Sequence, residues 1–368
     1  MGLSTGIVGL PNVGKSTIFN ALTAAGALAA NYPFATIEPN NGIVAVPDAR
    51  LKEIEALIKT EKIVPAYVEV KDIAGLVAGA SKGEGLGNKF LGHIREVDAI
   101  LHVVRCFENA DVVHVSGSVD PIRDIEIINL ELALADLDSA ERQLEKNKRA
   151  ASNKDAESSA RAELLEPLVG ALQRGVAART AMSGWNEAQR RAARSFGLIT
   201  TQPQLYVCNV DEGNPDGVGN PLVALVEQFA VAEGSATVCI SGAIEAEISS
   251  LESDAERHEF LASLGLKESG LEKLGRAAYK LLSLQSYFTA GPKEIRAWTI
   301  PVGAKAPQAA GVIHTDFEKG FIRAEVYTLA DLKQFKVESA IRAAGKLRAE
   351  GKEYVVRDGD IMHFLFNV

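Results

Sequence analysis

The sequence predicts an α/β protein with a mostly parallel sheet, into which a helical arm is inserted. Three observations predict this fold. A glycine-rich pattern lies between a buried strand and a helix at residues 9–16, a later strand ends in D-x-x-G at residues 72–75, and a leucine repeat occupies residues 127–144. Strands that alternate with crossover helices form parallel sheets, whereas apolar residues repeated every three or four positions form an amphipathic helix.

Length and composition are those of an ordinary globular chain. It has 368 residues, 47% of them hydrophobic and 24% charged, which is enough for the cores of two or three domains. The three cysteines, Cys106, Cys208 and Cys239, lack the spacing of a metal site or a disulfide framework, so we expect a reducing, cytoplasmic location. We expect no membrane association, because no apolar run is long enough to span a bilayer and the first strand leaves no room for a secretory signal.

The charge is unevenly distributed. The net charge of −9 argues against indiscriminate nucleic-acid binding. Residues 283–368 nevertheless hold 12 basic and 10 acidic residues, so this part is mildly basic on an acidic body. It could contact phosphate backbones locally, although so small an excess also fits chance variation.

The first functional element is a phosphate-binding loop. Residues 9–16 read G-L-P-N-V-G-K-S, which fits G-x-x-x-x-G-K-[ST] in the required context of strand, loop and helix. The backbone N–H groups and the helix N-terminus of such a loop bind phosphate. Lys15 would reach the outer phosphates, and the Ser16 hydroxyl would bind Mg²⁺. A glycine turn before a helix is the alternative interpretation.

Two further motifs follow in the order expected of a nucleotidase. Asp72 ends a strand and would hold Mg²⁺ through water, and the N–H of Gly75 would contact the γ-phosphate. Thr36, in N-Y-P-F-A-T-I-E, would close over Mg²⁺ and the γ-phosphate, although a lone threonine in a loop is usually a turn residue. The glycine-rich residues 79–88 predict a switch loop, with a loop of no signalling role as the alternative.

The middle of the chain predicts an antiparallel helical arm over residues 119–200. Its first helix has a heptad-like seam formed by Ile127, Leu130, Leu134, Leu137 and Leu144. A second helix would bring leucines against that seam, namely Leu164, Leu165, Leu168 and Leu172. The nucleotide-binding domain would then comprise residues 1–118 and 201–282. A helical patch packed on the sheet is the alternative.

The strand pattern returns after the arm and bears on the choice of base. Guanine-specific nucleotidases have N-K-x-D at the end of the strand that here ends in N-V-D-E, from Asn209 to Glu212. Val210 replaces the lysine and Glu212 replaces the aspartate. A site that pairs with specific polar edges loses heavily when that pairing fails, so the change disfavours GTP. Glutamate could still pair with guanine from one methylene farther away, and the spacing alone leaves the base open.

Taken together, these motifs resemble the Obg-like ATPases of the YchF type over essentially the whole chain. The resemblance is carried by G-L-P-N-V-G-K-S-T, N-Y-P-F-A-T-I-E-P-N, D-I-A-G-L-V-A-G-A-S-K-G-E-G-L-G-N-K-F-L and N-V-D-E, with G-F-I-R-A-E and R-D-G-D near the C-terminus. It implies a P-loop NTPase domain of the G-domain type, a coiled-coil arm and, at residues 283–368, a TGS domain, which is a small β-grasp unit. It also implies a preference for ATP over GTP and association with ribosomes or RNA.

The resemblance also implies which residues of this chain would form the binding site. The phosphates would be held by Asn12, Val13, Gly14, Lys15, Ser16 and Thr17. Ser16 and Thr36 would bind Mg²⁺. Asn209 would read the adenine edge, because an amide can both donate to it and accept from it, and Val210 would line the face of the base.

The sequence offers two candidates for the group that assists the attacking water. Guanine-specific relatives have a glutamine after D-x-x-G, but Leu76 occupies that position and cannot bond to water. His114 is the nearest candidate, since imidazole can orient or deprotonate water, and an ordinary surface histidine is the alternative. Asn12 could instead help to bind K⁺ in place of an arginine finger.

These observations predict a slow, monomeric ATPase switch. We expect its catalytic residues to be Lys15, Asp72, Gly75 and His114, with ATP and Mg²⁺ as ligands and K⁺ as a further candidate ligand. A GTPase of the Obg class is one alternative. Another is a non-catalytic ribosome- or RNA-binding factor that uses ATP as a structural ligand.

Overall fold

The computed structural model of the chain describes residues 3–29, 40–73, 86–109 and 111–367. The strands are β1 (Ser4–Val8), β2 (Asn41–Val46), β3 (Ile63–Val64), β4 (Ala66–Asp72), β5 (Ala99–Arg105), β6 (Gln204–Asn209), β7 (Ala236–Ile240), β8 (Leu284–Ala290), β9 (Ile295–Pro301), β10 (Phe321–Thr328), β11 (Arg348–Glu350) and β12 (Asp360–Phe366).

The helices carry the remaining regular structure of the described residues. They are α1 (Lys15–Ala29), α2 (Ala49–Glu55), α3 (Leu86–Arg95), α4 (Pro121–Ser152), α5 (Ala156–Gln173), α6 (Glu187–Arg194), α7 (Pro221–Glu233), α8 (Gly242–Ser250), α9 (Asp254–Ser263), α10 (Gly270–Leu281), α11 (Ala306–Ile313), α12 (Thr315–Lys319), α13 (Leu329–Phe335) and α14 (Glu338–Ala343). Two short 3₁₀ helices span Ala178–Met182 and Ile199–Thr201. No helix in these ranges is long and apolar enough to cross a membrane.

The chain forms two compact units, the first of residues 1–44 and 69–274 and the second of residues 45–68 and 275–368. The first contains a six-stranded sheet in the order β2-β4-β1-β5-β6-β7. β1 pairs in parallel with β4 and β5, and β6 pairs in parallel with β5 and β7. Every residue of β1, β5 and β6 is buried, as expected of central strands in a parallel sheet. The predicted α/β fold class is confirmed.

The arm is built on α4 and α5, which pack along each other. Asp120 caps α4 by accepting a hydrogen bond from the Arg123 N–H, and Pro121 occupies the first turn, where proline is tolerated. The tight turn between the two helices includes Lys154, which has a φ of +66°. The arm belongs to the first compact unit, and its expected limits at residues 119–200 stay a prediction.

The predicted seam of the arm was partly wrong. Leu137 and Leu144 pack against the arm core together with Leu165, Leu168 and Leu172 of the second helix, but Leu130 and Leu134 are 45% and 39% exposed. The buried stripe runs instead through Ile125, Ile128, Leu132, Ala133, Asp136 and Ala140. Small residues such as alanine let helices approach closely, and a pattern that counts leucines does not detect them.

The second unit contains another six-stranded sheet, in the order β11-β10-β12-β8-β9-β3. The strand pairs β8–β9 and β10–β11 are antiparallel, and β12 lies between the two pairs, antiparallel to β10 and parallel to β8. Helix α11 packs on β9 and β10. The identification of residues 283–368 as a TGS β-grasp unit stays a prediction. Residues 45–68, which the expected division assigns to the nucleotide-binding domain, pack in this unit, where β3 pairs in parallel with β9.

Candidate functional site

The loop at residues 9–14 connects β1 to α1 in a conformation that requires glycine. Gly14 has a φ of +89°, and a Cβ there would lie 2.0 Å from Nδ2 of Asn209. A Cβ on Gly9 would lie 2.8 Å from the backbone oxygen of Val103. Asn12 is exposed and has a φ of +62°, which asparagine tolerates better than most residues. The loop thus forms a cradle at the helix N-terminus, where an anion is favoured.

Lys15 and Asp72 meet at the carboxyl edge of the sheet, although they are 57 residues apart in sequence. The parallel register aligns Ile7 with Asp72, so β4 ends beside the phosphate-binding loop. Nζ of Lys15 donates to Oδ1 of Asp72 at 2.8 Å and to the backbone oxygen of Ile73 at 2.9 Å. The side chains are only 10% and 22% exposed. The fold therefore joins the two charged residues that the sequence assigned to phosphate and metal binding.

The donors at this edge fit Mg²⁺. Ser16 and Thr17 are exposed in the first turn of α1, and the hydroxyl of Ser16 and the carboxylate of Asp72 are the hard oxygen ligands that Mg²⁺ prefers. The described residues contain no cluster of three or more His, Cys, Asp or Glu side chains that could hold a metal by itself. Thr36, Gly75 and Leu76 lie outside the described residues, as do residues 79–85.

Asn209 joins the phosphate-binding loop to the loop after β7. Its Nδ2 donates to the Val13 backbone oxygen at 2.8 Å, and its Oδ1 accepts from the Gly242 N–H at 3.0 Å. The residue is 4% exposed. These bonds leave one N–H and one lone pair of the amide for another partner, and the role of Asn209 in reading adenine stays a prediction.

Val210 lies in the core of the first unit. It is 2% exposed and belongs to a cluster that includes Val104, Cys208 and, from α7, Val223 and Val226. Its expected contact with the face of a base stays a prediction. Glu212, by contrast, is exposed.

His114 is buried and paired within the chain. It is 6% exposed, so the alternative of an ordinary surface histidine is wrong. Nε2 lies 2.8 Å from Oδ2 of Asp124, and Nδ1 accepts from the Ser116 N–H at 3.1 Å. The sequence did not indicate Asp124, because it is far from the phosphate motifs and begins the arm.

A second residue missed by the sequence, Arg105, shapes the loop that carries His114. Its guanidinium donates to the backbone oxygens of Phe107, Asn109 and Val112 at 3.0–3.2 Å. Burial lowers the pKa of Arg105, and the nearby Asp124 opposes this effect. Arg105 could have been identified from the sequence, because it ends the otherwise apolar strand A-I-L-H-V-V-R and a buried charge needs specific partners.

The same loop is tied to the phosphate-binding loop. Nδ2 of Asn12 donates to the backbone oxygen of Val113 at 3.1 Å. Asn12 and His114, the two residues proposed from sequence for a water- or K⁺-related role, therefore belong to connected loops.

A buried carboxyl group lies just beyond the Gly242 end of the site. Glu245 of α8 is 2% exposed, and burial raises its pKa to about 7. Its Oε1 accepts from the Gly270 N–H at 2.6 Å, whereas its Oε2 has no hydrogen-bond partner among the described residues. Oγ of Ser241 is likewise buried and unpaired. Sequence reasoning did not identify Glu245, because nothing in its local pattern predicts burial.

A phosphate-binding loop and a strand-end aspartate on a six-stranded sheet define a P-loop NTPase domain of the G-domain type. Family models agree. One, described as a 50S ribosome-binding GTPase, matches residues 4–150. Another, YchF-GTPase_C, described as a protein of unknown function, matches residues 284–367.

Comparison with whole proteins extends the match to both units. The chain is 54% identical to the ribosome-binding ATPase YchF of Haemophilus influenzae and 51% identical to that of Bacillus subtilis, in each case over 369 residues and 100% of both chains. The solved structure of the Schizosaccharomyces pombe YchF GTPase matches with a TM-score of 0.87 at 41% identity, covering 99% of this chain and 97% of that one. The chain belongs to the YchF family.

Proposed function

We propose that this protein is an ATP-hydrolysing molecular switch that associates with ribosomes. The observation that carries the proposal is the contact between Lys15 and Asp72 at the phosphate-binding loop. Bacterial relatives that match over the full length are named ribosome-binding ATPases. We further propose that the protein acts in the cytoplasm as a monomer.

The phosphates would bind in the cradle of residues 12–17. Lys15 would exchange its contact with Asp72 for the β- and γ-phosphates, because its charge then meets a stronger anion. That exchange would free the Asp72 carboxylate. Ser16 and Thr36 would hold Mg²⁺, which supplies positive charge to the phosphate oxygens when it is bound. The N–H of Gly75 would contact the γ-phosphate and would lose that contact when the phosphate leaves.

Hydrolysis would depend on His114 and would be slow. Leu76 cannot orient water, and both ring nitrogens of His114 are bonded within the chain, so the ring must be released before it can act. K⁺ near Asn12 is a second candidate for stabilising the developing charge.

The base would be adenine. Val210 and Glu212 replace the residues that guanine-specific nucleotidases use, and Asn209 retains unused hydrogen-bonding capacity near the phosphate-binding loop. The S. pombe relative is called a GTPase, whereas the bacterial relatives are called ATPases, so the choice of base needs a direct test.

The partner contacts would come from the arm and from the β-grasp unit. Residues 283–368 are the less acidic part of the chain and would contact RNA or ribosomal protein. Two weak contacts on one body raise avidity although neither is tight.

A binding factor without useful catalysis is the second candidate function. The observation that favours it is the burial of His114 with both nitrogens paired. Turnover measured with and without ribosomes distinguishes the two, because a switch is stimulated and a structural ATP ligand is not.

The experiment compares the wild-type protein with Lys15→Ala and with Lys59→Ala, an exposed lysine in the second unit that serves as control. ATP and GTP affinities are measured by calorimetry, and turnover is measured with and without ribosomes. We expect tighter binding of ATP than of GTP and loss of hydrolysis in Lys15→Ala only. Normal turnover by Lys15→Ala would show that the loop is not the active site, and tighter GTP binding would overturn the choice of base.

A further inference from the structure

The ring of His114 is attached to the first turn of the arm. Nε2 lies 2.8 Å from Oδ2 of Asp124, and both side chains are only 3% exposed. Because Nδ1 accepts from the Ser116 N–H, the ring proton is on Nε2 and is donated to the carboxylate. In this arrangement neither nitrogen can bond to a water molecule that attacks a phosphate.

Asp124 belongs to the arm and not to the loop that it holds. It lies in the first turn of α4, whose 32 residues extend for about 48 Å at the usual rise of a helix. Its other oxygen, Oδ1, accepts from Nη2 of Arg123 at 3.2 Å. A helix moves as a rigid element, so a displacement of the arm would be passed to this carboxylate.

The backbone around His114 is held by bonds that do not involve its ring. Arg105 binds the backbone oxygen of Val112, and Asn12 binds that of Val113. The ring could therefore turn while the loop stays attached to the phosphate-binding loop.

The flanking side chains show that burial of apolar groups does not explain the observed orientation. Val113 is 75% exposed and Val115 is 52% exposed, whereas the polar ring between them is buried. This is the reverse of the usual distribution of these residue types. The ring is held inward by its hydrogen bonds with Asp124 and with the Ser116 N–H, and only the bond to Asp124 comes from the arm.

We propose that Asp124 is a positioning residue that latches His114 toward the chain, and that displacement of α4 by a partner bound to the arm releases the ring to act on ATP. This inference rests on the proposed ATPase function and on the role of His114 within it. It identifies the group through which the arm controls hydrolysis. If Asp124 instead oriented an active His114, its removal would have the opposite effect on turnover.

The test measures ATP turnover by the full chain without ribosomes. Asp124→Ala should raise kcat about tenfold, since a hydrogen bond to a charged group is lost from the latched state only. The KM for ATP should change less than about twofold, because the latch does not contact ATP. Arg123→Gln removes the hydrogen bond from Arg123 to Oδ1 of Asp124 and should raise kcat by less than Asp124→Ala does. Arg142→Gln, an exposed arginine farther along α4, is the matched control and should equal the wild type.

Two further measurements identify the cause of any rise in kcat. Adding His114→Ala to Asp124→Ala should remove the gain, because the released group is then missing. Ribosomes should stimulate Asp124→Ala less than the wild type, because its ring is already free. Equal stimulation of both proteins would overturn the coupling between the arm and the site.

The remaining outcomes distinguish failure of the latch from failure of the proposed ATPase function. A kcat for Asp124→Ala at or below the wild-type value overturns the latch. If Asp124→Ala fails to fold, Arg123→Gln decides: a rise supports the latch and no rise overturns it. If His114→Ala alone leaves turnover unchanged, His114 has no catalytic role. If His114→Ala lowers turnover but Asp124→Ala does not raise it, His114 is catalytic and only the latch is overturned.

Discussion

Replacement of Glu245 by glutamine should stabilise the first unit at alkaline pH. Burial raises the pKa of this carboxyl from 4.5 to about 7, with smaller opposing contributions from the Gly270 and Leu271 N–H groups. A group whose pKa is higher in the folded state contributes stability below its unfolded pKa and loses it as the pH rises through the folded pKa. The stability of the wild type should therefore fall between about pH 4.5 and pH 7.

The size of the effect follows from the two pKa values. They differ by about 2.5, and each unit corresponds to about 1.4 kcal/mol, so ionisation of Glu245 would cost up to about 3.5 kcal/mol of unfolding free energy above pH 7. Glutamine keeps an oxygen for the Gly270 N–H and carries no charge at either pH, so it resembles the protonated carboxyl group. Glu245→Gln should therefore gain most of this energy at pH 8 and less than about 1 kcal/mol at pH 5.

Urea denaturation at both pH values would measure the difference. Glu247→Gln is the matched control, because Glu247 is exposed on the same helix two residues away, and it should change stability little at either pH. A gain for Glu245→Gln of equal size at pH 5 and pH 8 would refute the reasoning, since it would show that ionisation is not the cause. A loss at pH 8 would show that the charge itself stabilises α10.

Three further predictions concern the loop, the base and the partner. Arg105→Met should cost about 3 kcal/mol of stability, because three backbone oxygens lose their donor. It should also lower kcat, while the ATP affinity measured by calorimetry stays within about twofold. An unchanged kcat would show that Arg105 does not shape the active loop. The double change Val210→Lys and Glu212→Asp should shift the affinity ratio toward GTP in competition titrations, and no shift would move base selection to other residues. Co-sedimentation with ribosomes should weaken at high salt and after deletion of the arm or of residues 283–368, and salt-independent binding by both deletions would contradict the proposed contacts.

The local motifs explain why much of the nucleotide site was predictable. A phosphate-binding loop requires glycine, lysine and a hydroxyl residue within a few positions, because the backbone itself forms the site. Asp72 was predictable for a related reason: it ends a strand, and strand ends of parallel sheets meet at one edge. The contact between Lys15 and Asp72 agrees with that logic.

Sequence alone was enough to predict the class of domain, the phosphate-binding loop and the strand-end aspartate, since each depends on residues close together in the chain. The folded chain was needed to show that His114 is buried against Asp124, that Arg105 holds the loop before it, and that residues 45–68 pack in the second unit. It also showed which face of α4 is buried: Ala133 and Ala140 lie on that face, whereas the expected Leu130 and Leu134 are exposed. The physical reason is common to all four: burial and long-range pairing depend on which segments meet in space, and local periodicity carries no information about that.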